Sequence, residues 1–195
     1  MGRIIVFINL SLDGVMQAPA RPDEDARGGF PYGGWAVPYN AMASGGGSGP
    51  QPGGLLFGRR TYEDFYAVWP KRTDGNPYTD ILNHSPKYVA SRTLREPLPW
   101  MNSMLLRGDV AQTIPPLKQS LDTDLLILGS GDLVRSLMRH NLVDEYTLLI
   151  HPLVLGAGQR LFAEGVPQRA LRLVESRTTE TGVVIATYRL AEPPG

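Results

Sequence analysis

The fold is decided by Leu125-Leu126-Ile127-Leu128-Gly129-Ser130-Gly131-Asp132-Leu133-Val134, residues 125–134. Its first four residues are all apolar, which is typical of a short strand buried on both faces. Two glycines follow almost at once and favour a tight turn. Apolar side chains then recur at helical spacing at Leu133, Val134, Leu137, Met138 and Leu142. The stretch therefore predicts a buried strand, a turn and a helix, which is the alternation of an α/β protein.

The chain before this stretch shows the same alternation. Apolar and β-branched runs predict strands at residues 4–8, 55–57, 87–90 and 103–106, and helical patterns cover residues 60–69 and 78–83. Because proline disrupts a helix interior, a further helix is expected to begin at Pro115-Pro116, with Thr113 as its N-cap. A weak pattern also suggests a short helix around residues 39–43.

The last third of the chain changes character. Residues 146–150, 170–176 and 183–190 are strand-like and have no helix between them, which predicts added antiparallel strands. A Gly/Pro-rich loop at about 17–54 interrupts the early part of the chain. Long loops of this kind are often lids or binding loops, and the alternative is a surface insertion. No linker separates two halves, so a single domain over residues 1–195 is expected.

Composition excludes several classes of protein. Lys+Arg and Asp+Glu both number 19, and this neutral balance argues against a nucleic-acid binder that works through a basic face. The chain has no cysteine, which removes disulfides, thiolate metal sites and cysteine nucleophiles. His84, His140 and His151 lack metal-ligand spacing, so no metal is expected. Neither a signal peptide nor a membrane span is evident, and a cytoplasmic protein is expected.

Three turns that follow predicted strands carry residues suited to phosphate. They are Gly58-Arg59-Arg60-Thr61, Ser91-Arg92-Thr93 and Gly129-Ser130-Gly131-Asp132-Leu133. Arginines, hydroxyls and the N–H groups of a helix N-terminus all bind phosphate oxygens. Each turn also has a plainer interpretation, since Thr61, Ser130 or Asp132 could cap a helix and residues 91–93 could form a solvated turn. A dinucleotide fingerprint is incomplete, because Val134 stands where it needs glycine.

Taken together, the motifs resemble those of the dihydrofolate-reductase-like superfamily, in particular the branch that contains the pyrimidine reductase domain of riboflavin biosynthesis. The matching pieces are the three turns, extended to Glu63 in the first, together with Ser11-Leu12-Asp13-Gly14, Leu142-Val143-Asp144-Glu145 and Pro152-Leu153-Val154-Leu155-Gly156-Ala157-Gly158-Gln159-Arg160-Leu161-Phe162. The resemblance implies an α/β fold with a mainly parallel central sheet flanked by helices, and NADPH bound across the sheet. It implies that residues 58–61 hold phosphates, that residues 91–93 lie near the 2′-phosphate, and that residues 129–133 cradle the pyrophosphate.

The substrate side of the site is less clearly marked. Asp13 is the candidate proton donor, with an ordinary Asp-Gly turn residue as the alternative. The candidate substrate-binding residues are Asn9, Trp35, Tyr39, Asn40 and Glu145. The aromatic ones could wall a flat ring or simply pin the loop to the core. The resemblance also implies acidic residues at two positions where this chain has Asn40 and Leu128.

The leading hypothesis is an NADPH-dependent reductase that transfers a hydride to a small flat nitrogen heterocycle. The heterocycle would be a pyrimidine such as 5-amino-6-ribosylaminouracil phosphate, or a pterin. The rival is a non-catalytic nucleotide-binding or dimeric scaffold protein, which the missing acids support, and flavin binding is a third alternative. By resemblance, a homodimer would form through the C-terminal strands.

Overall fold

The computed structural model describes residues 1–39 and 53–191. The strands are β1 Ile4–Ser11, β2 Gly54–Gly58, β3 Lys87–Ala90, β4 Ser103–Leu106, β5 Leu125–Leu128, β6 Glu145–His151, β7 Leu171–Thr178 and β8 Val184–Leu190. The α-helices are α1 Arg59–Val68, α2 Pro77–His84, α3 Val110–Ser120 and α4 Gly131–Arg139. Short 3-10 turns occur at Arg27–Gly29, Val37–Tyr39 and Trp69–Lys71. Each predicted strand is confirmed, with small shifts at its ends.

The strands form one sheet in the order β4-β3-β2-β5-β1-β6-β8-β7. Strand β2 pairs in parallel with both β3 and β5, and β3 pairs in parallel with β4. At the other end, β8 lies between β6 and β7 and is antiparallel to both. The predicted fold class is confirmed: a mainly parallel sheet with added antiparallel C-terminal strands and helices in the connections.

The chain divides into two compact units. The first unit comprises Met1–Ile5 and the described part of Pro50–Val143, and the second comprises the described part of Val6–Gly49 and Asp144–Gly195. In the first unit β2 and β5 are almost wholly buried, as expected for parallel strands covered on both faces. In the described residues, no helix is long and apolar enough to cross a membrane.

Helix α3 corrects the prediction that a helix begins at Pro115-Pro116. It begins at Val110, because Asp109 rather than Thr113 is the N-cap and accepts a hydrogen bond from the Ala111 N–H (2.9 Å). Both prolines lie inside the helix. Ile114 is completely buried on the same helix, so packing of this apolar side chain outweighs the two backbone hydrogen bonds that the prolines remove.

The described part of the Gly/Pro-rich segment is packed rather than loose. Phe30 and Trp35 are buried with Val15 and Ala18 in one apolar cluster of the second unit. The Trp35 indole N–H donates to the Gln17 carbonyl (2.7 Å). Trp35 therefore fixes the described part of this segment to the core of the second unit. Most of the short helix predicted around residues 39–43 lies outside the described residues.

Candidate active site

The three phosphate-suited turns lie at one edge of the first unit. Strands β3, β2 and β5 are neighbours in the sheet and run parallel to one another. Residues 91–93, 58–61 and 129–133 directly follow the carboxyl ends of these strands. Ligands of open parallel sheets bind beyond these ends. The sheet thus brings together turns that are far apart in sequence.

Two of the turns are locked together by reciprocal hydrogen bonds. The Gly58 N–H donates to Ser130 Oγ, and the Ser130 N–H donates to Thr61 Oγ1, each at 3.1 Å. Ser130 has φ 53°, a left-handed conformation that a non-glycine residue rarely adopts. These bonds correct the capping interpretations: Gly58 holds the N-cap position of α1, and Ser130 occupies that of α4 without a side-chain cap bond.

Exposed ion pairs hold the arginines of the first turn. Arg59 contacts Glu63 at 3.1 Å, and Arg60 contacts Asp132 at 3.3 Å. Asp132 also accepts a hydrogen bond from Arg135. The side chains of these ion pairs are well exposed, apart from that of Arg135. Exposed ion pairs contribute about 0–1 kcal/mol to the free energy of unfolding. A phosphate can therefore replace the carboxylates at little cost, so the turns fit a nucleotide.

The third turn is shaped by its serine. Ser91 Oγ accepts hydrogen bonds from the backbone N–H groups of Thr93 (3.1 Å) and Leu94 (3.0 Å), which folds the turn and leaves Arg92 exposed. Arg107 follows β4, the parallel neighbour of β3, and is also exposed. The sequence analysis missed it. The sequence pattern that could have identified Arg107 is a basic residue directly after a predicted strand and next to Gly108.

In the second unit, a histidine gathers three of the predicted substrate-binding residues. His151 ends β6 and is 1% exposed. Its Nε2 lies 2.9 Å from Asn9 Oδ1. The rings of Trp35 and Tyr39 each meet the imidazole edge to face, with centroids 5.2 Å apart. Spacing gave no hint of His151, because its partners come from distant parts of the chain.

Burial also sets the protonation of His151. It lowers the pKa of this imidazole to about 4, because the charged form loses its hydration. The ring is therefore neutral at physiological pH. Asn9 Oδ1 can only accept, so Nε2 carries the single proton and Nδ1 is left as an acceptor.

The hydrogen bonds of Asp13, the candidate proton donor, favour the alternative interpretation of this residue as part of a turn. Its carboxylate accepts hydrogen bonds from the Ser11 hydroxyl (2.6 Å) and from the N–H groups of Leu155 (3.1 Å) and Gly156 (2.9 Å). Arg160 lies 3.3 Å away. The Ser11 hydrogen bond above all holds the pKa of Asp13 far below its usual range. Asp13 is thus ionised and fixes the segment after β6.

Two other predicted substrate residues are not brought to His151. Glu145 begins β6 and pairs with Arg189 on β8 at 2.7 Å. It is separated from His151 by the whole strand, roughly 20 Å at about 3.3 Å per residue. Asn40 lies outside the described residues. In the described part of the chain, no group of three or more His, Asp or Glu side chains could hold a metal ion.

Comparison with known proteins shows the family of this chain. The sequence model of the RibD C-terminal domain matches residues 3–185, nearly the whole chain. The chain belongs to the RibD C-terminal domain family. The resemblance seen in the motifs is thereby confirmed.

One sequence relative and two solved structures are similar to this chain. The Bacillus subtilis (strain 168) protein YyaP, described as uncharacterized, is 31% identical over 137 residues, covering 69% of this chain and 72% of its own. A Shewanella sp. PV-4 protein named for riboflavin biosynthesis has a TM-score of 0.67 at 22% identity, covering 97% of this chain and 99% of its own. Dihydrofolate reductase from Enterococcus faecalis, solved with NADP(H), has a TM-score of 0.59 at 12% identity, with 98% of each chain covered. The two structures show the fold that this chain shares.

Proposed function

We propose that this protein is an NADPH-dependent reductase that transfers a hydride to a small flat nitrogen heterocycle. The heterocycle is a pyrimidine, such as 5-amino-6-ribosylaminouracil phosphate, or a pterin. One observation carries the proposal: the three phosphate-suited turns follow three adjacent parallel strands of the first unit. Membership in the RibD C-terminal domain family supports it. NADPH supplies the hydride when bound.

Each turn has its own task in this proposal. Arg59 and Arg60 leave their carboxylate partners and bind phosphate oxygens, with the locked Gly58 to Thr61 turn holding their backbone in place. Residues 129–133 present the N-terminus of α4 to the pyrophosphate. Ser91 and Thr93 shape the turn from which Arg92 contacts the 2′-phosphate. Because Asp13 is ionised, a water molecule supplies the proton to the heterocycle.

The first test is thermal unfolding with NADPH and with NADH. A ligand at about 100 times its Kd stabilises a fold by about 2.7 kcal/mol, which is visible as a rise in Tm. We expect a rise with NADPH and little change with NADH. Oxidation of NADPH on adding pyrimidines or pterins then tests the reaction. No rise with either nucleotide contradicts the proposal.

The rival is a nucleotide-binding protein of the same fold without catalysis. Leu128 stands where the resemblance implies an acid, and the Asp13 carboxylate accepts hydrogen bonds from backbone N–H groups, so this chain offers fewer acids to the reaction. Binding of NADPH with no turnover of any heterocycle favours the rival. A yellow purified protein favours flavin binding.

We also propose that the protein is a cytoplasmic homodimer.

A further inference from the structure

The imidazole of His151 has a buried nitrogen that is left without a partner. Nδ1 is fully shielded from solvent and has no hydrogen-bond partner among the described residues. The other nitrogen, Nε2, faces Asn9 Oδ1 at 2.9 Å. Native proteins rarely leave a buried polar atom unpaired, because the atom loses its hydrogen bond to water and gains nothing in return. The unpaired Nδ1 therefore needs an explanation.

The chemistry of Nδ1 is fixed by its surroundings. Asn9 Oδ1 holds the proton on Nε2, and the aromatic rings of Trp35 and Tyr39 contribute no opposite charge that would stabilise an imidazolium. Nδ1 is therefore unprotonated and carries a lone pair that has no hydrogen-bond donor among the described residues. It accepts a hydrogen bond from an N–H or O–H group and repels a carbonyl oxygen.

The residues next to His151 leave one side of the group partly open. Phe7 and Asn9 lie two apart on β1, so their side chains share one face, and both are only partly buried. Tyr39 is partly buried too, and it packs with Phe7 against Leu149 and Val183. A planar ligand that enters from this side passes these three partly buried side chains to reach the imidazole of His151.

We infer that His151 Nδ1 accepts a hydrogen bond from a ring N–H group of the heterocycle, and so selects and orients the substrate. The inference rests on the proposed function, since it names a recognition element for the same substrate class. A heterocycle with ring N–H groups donates the hydrogen bond that Nδ1 lacks. An N-methylated ring leaves the lone pair buried and unpaired, and sites built to hydrogen-bond a ligand reject analogues that lack the donor.

The first experiment follows the imidazole nitrogens directly. The protein is labelled with ¹⁵N histidine, saturated with NADP⁺, and titrated with 6-aminouracil or with 6-amino-1,3-dimethyluracil, which lacks the ring N–H groups. His151→Gln identifies the His151 signals among the three histidines. We expect an unprotonated Nδ1 whose resonance moves with 6-aminouracil and stays in place with the dimethyl analogue.

The second experiment measures affinity in a matched pair of variants. In His151→Gln the side-chain amide keeps a donor for Asn9 Oδ1 and removes the acceptor at Nδ1. We expect the Kd of 6-aminouracil to rise about 10-fold or more. The dimethyl analogue, which binds weakly, should keep its Kd, and the Kd of NADPH should be unchanged. His140→Gln, at an exposed histidine, should change none of these.

The outcomes separate the inference from the proposed function. If NADPH binds but Nδ1 responds to neither uracil, or responds equally to both, the inference is wrong and the reductase proposal stands. The inference is also wrong if Nδ1 is protonated or hydrogen-bonded before ligand is added, as with a trapped water. If Nδ1 responds as expected but NADPH does not bind, the inference stands and the reductase proposal fails.

Discussion

At the scale of single residues, Asp13 shows that hydrogen bonds decide what a carboxylate can do. In Asp13→Asn, the charge-assisted bonds from Leu155, Gly156 and Arg160 are lost or weakened. We expect the free energy of unfolding at pH 7 to fall by about 1–2 kcal/mol, while turnover per folded molecule is kept. Urea unfolding and steady-state kinetics check both. Asp23→Asn, at a well exposed aspartate of the same unit, is the control.

The pH dependence of this loss follows from the pKa of Asp13. The folded pKa lies below the unfolded value of 3.8, so the carboxylate stabilises the fold above about pH 4 and this stabilisation is lost as the pH falls further. The difference between the native protein and Asp13→Asn should therefore shrink at acidic pH. Loss of turnover with unchanged stability would instead show that Asp13 acts in the reaction.

His151 predicts a second pH effect, at a higher pH than that of Asp13. Its pKa falls from 6.5 to about 4 on folding, which corresponds to about 3 kcal/mol. The folded state binds fewer protons than the unfolded state in this window, so stability is complete above pH 6.5 and declines as the pH falls toward 4. His151→Gln should flatten this slope in unfolding experiments at several pH values, whereas His140→Gln should keep it. An unchanged slope in His151→Gln contradicts the buried neutral imidazole.

Arg92 is the residue on which cofactor choice depends in the proposed site. It is exposed at the carboxyl end of β3, with Arg107 following the neighbouring strand. We expect Arg92→Ala to weaken NADPH binding by about 10-fold, the loss of one charge-assisted contact, and to leave NADH binding unchanged. Titration with both nucleotides measures this. Arg177→Ala, on β7, is the control, and an unchanged preference for NADPH excludes the role.

At the scale of elements, Lys87 ties three chain segments of the first unit together. Its fully buried ammonium donates to the carbonyls of Asn83 (2.8 Å), Ser85 (3.0 Å) and Met101 (3.1 Å), and it lies 4.4 Å from the centre of the Trp100 ring. Burial lowers the pKa of this lysine to about 8, and the carbonyls and the ring favour its charged form.

Lys87→Met keeps the length of this side chain and removes its donors. Three carbonyls then lack the donor that satisfied them, so we expect the free energy of unfolding to fall by at least about 2 kcal/mol. Denaturant unfolding measures the loss. Lys71→Met, at an exposed lysine, should stay within about 0.5 kcal/mol of the native protein. An equally small effect at Lys87 would show that the three contacts contribute little.

Local sequence predicted the elements better than their tertiary partners. The strands were predictable because runs such as Leu125–Leu128 are apolar throughout, and such runs favour buried strands wherever they occur. The start of α3 was not predictable from local sequence, because burial of Ile114 outweighs the local effect of two prolines. The residues next to Lys87 in sequence do not predict its burial, because one of its acceptors, the Met101 carbonyl, lies 14 residues away.

The candidate site divides in the same way. The phosphate-suited turns could be found because each is a short contiguous motif after a strand. The bond that locks Ser130 to Thr61 joins residues 69 apart, and His151 meets Asn9 across 142 residues. Such pairs depend on strand order, which local patterns do not contain. Hence the sequence indicated Asp13 as a donor but could not reveal the hydrogen bonds that keep it ionised.

At the scale of the whole molecule, the formal net charge is zero, so charge repulsion does little to keep copies apart. Within the described residues, β7 is the last strand of the sheet, pairs with β8 on one side and is exposed along nearly its whole length. Leu173 is 49% exposed and Val174 is 40% exposed. Natural proteins usually cover or charge such an edge. We expect a second copy of this chain to cover it, in accordance with the predicted homodimer.

The sequence of β7 suits antiparallel pairing with itself. A β-bulge between Leu173 and Glu175 puts Arg172 and Glu175 on the same face of β7. If Leu173 of one copy lies opposite Val174 of the other, Arg172 therefore lies opposite Glu175, and two-fold symmetry repeats this pair. Glu175→Arg then places like charges opposite each other twice, and we expect the dimer Kd to rise about 10-fold. Adding Arg172→Glu restores opposite charges and should restore the dimer, whereas Glu180→Arg, in the exposed turn before β8, should have no effect. Sedimentation over a range of concentrations decides: a native protein that stays monomeric, or a double variant that fails to recover, excludes pairing through β7.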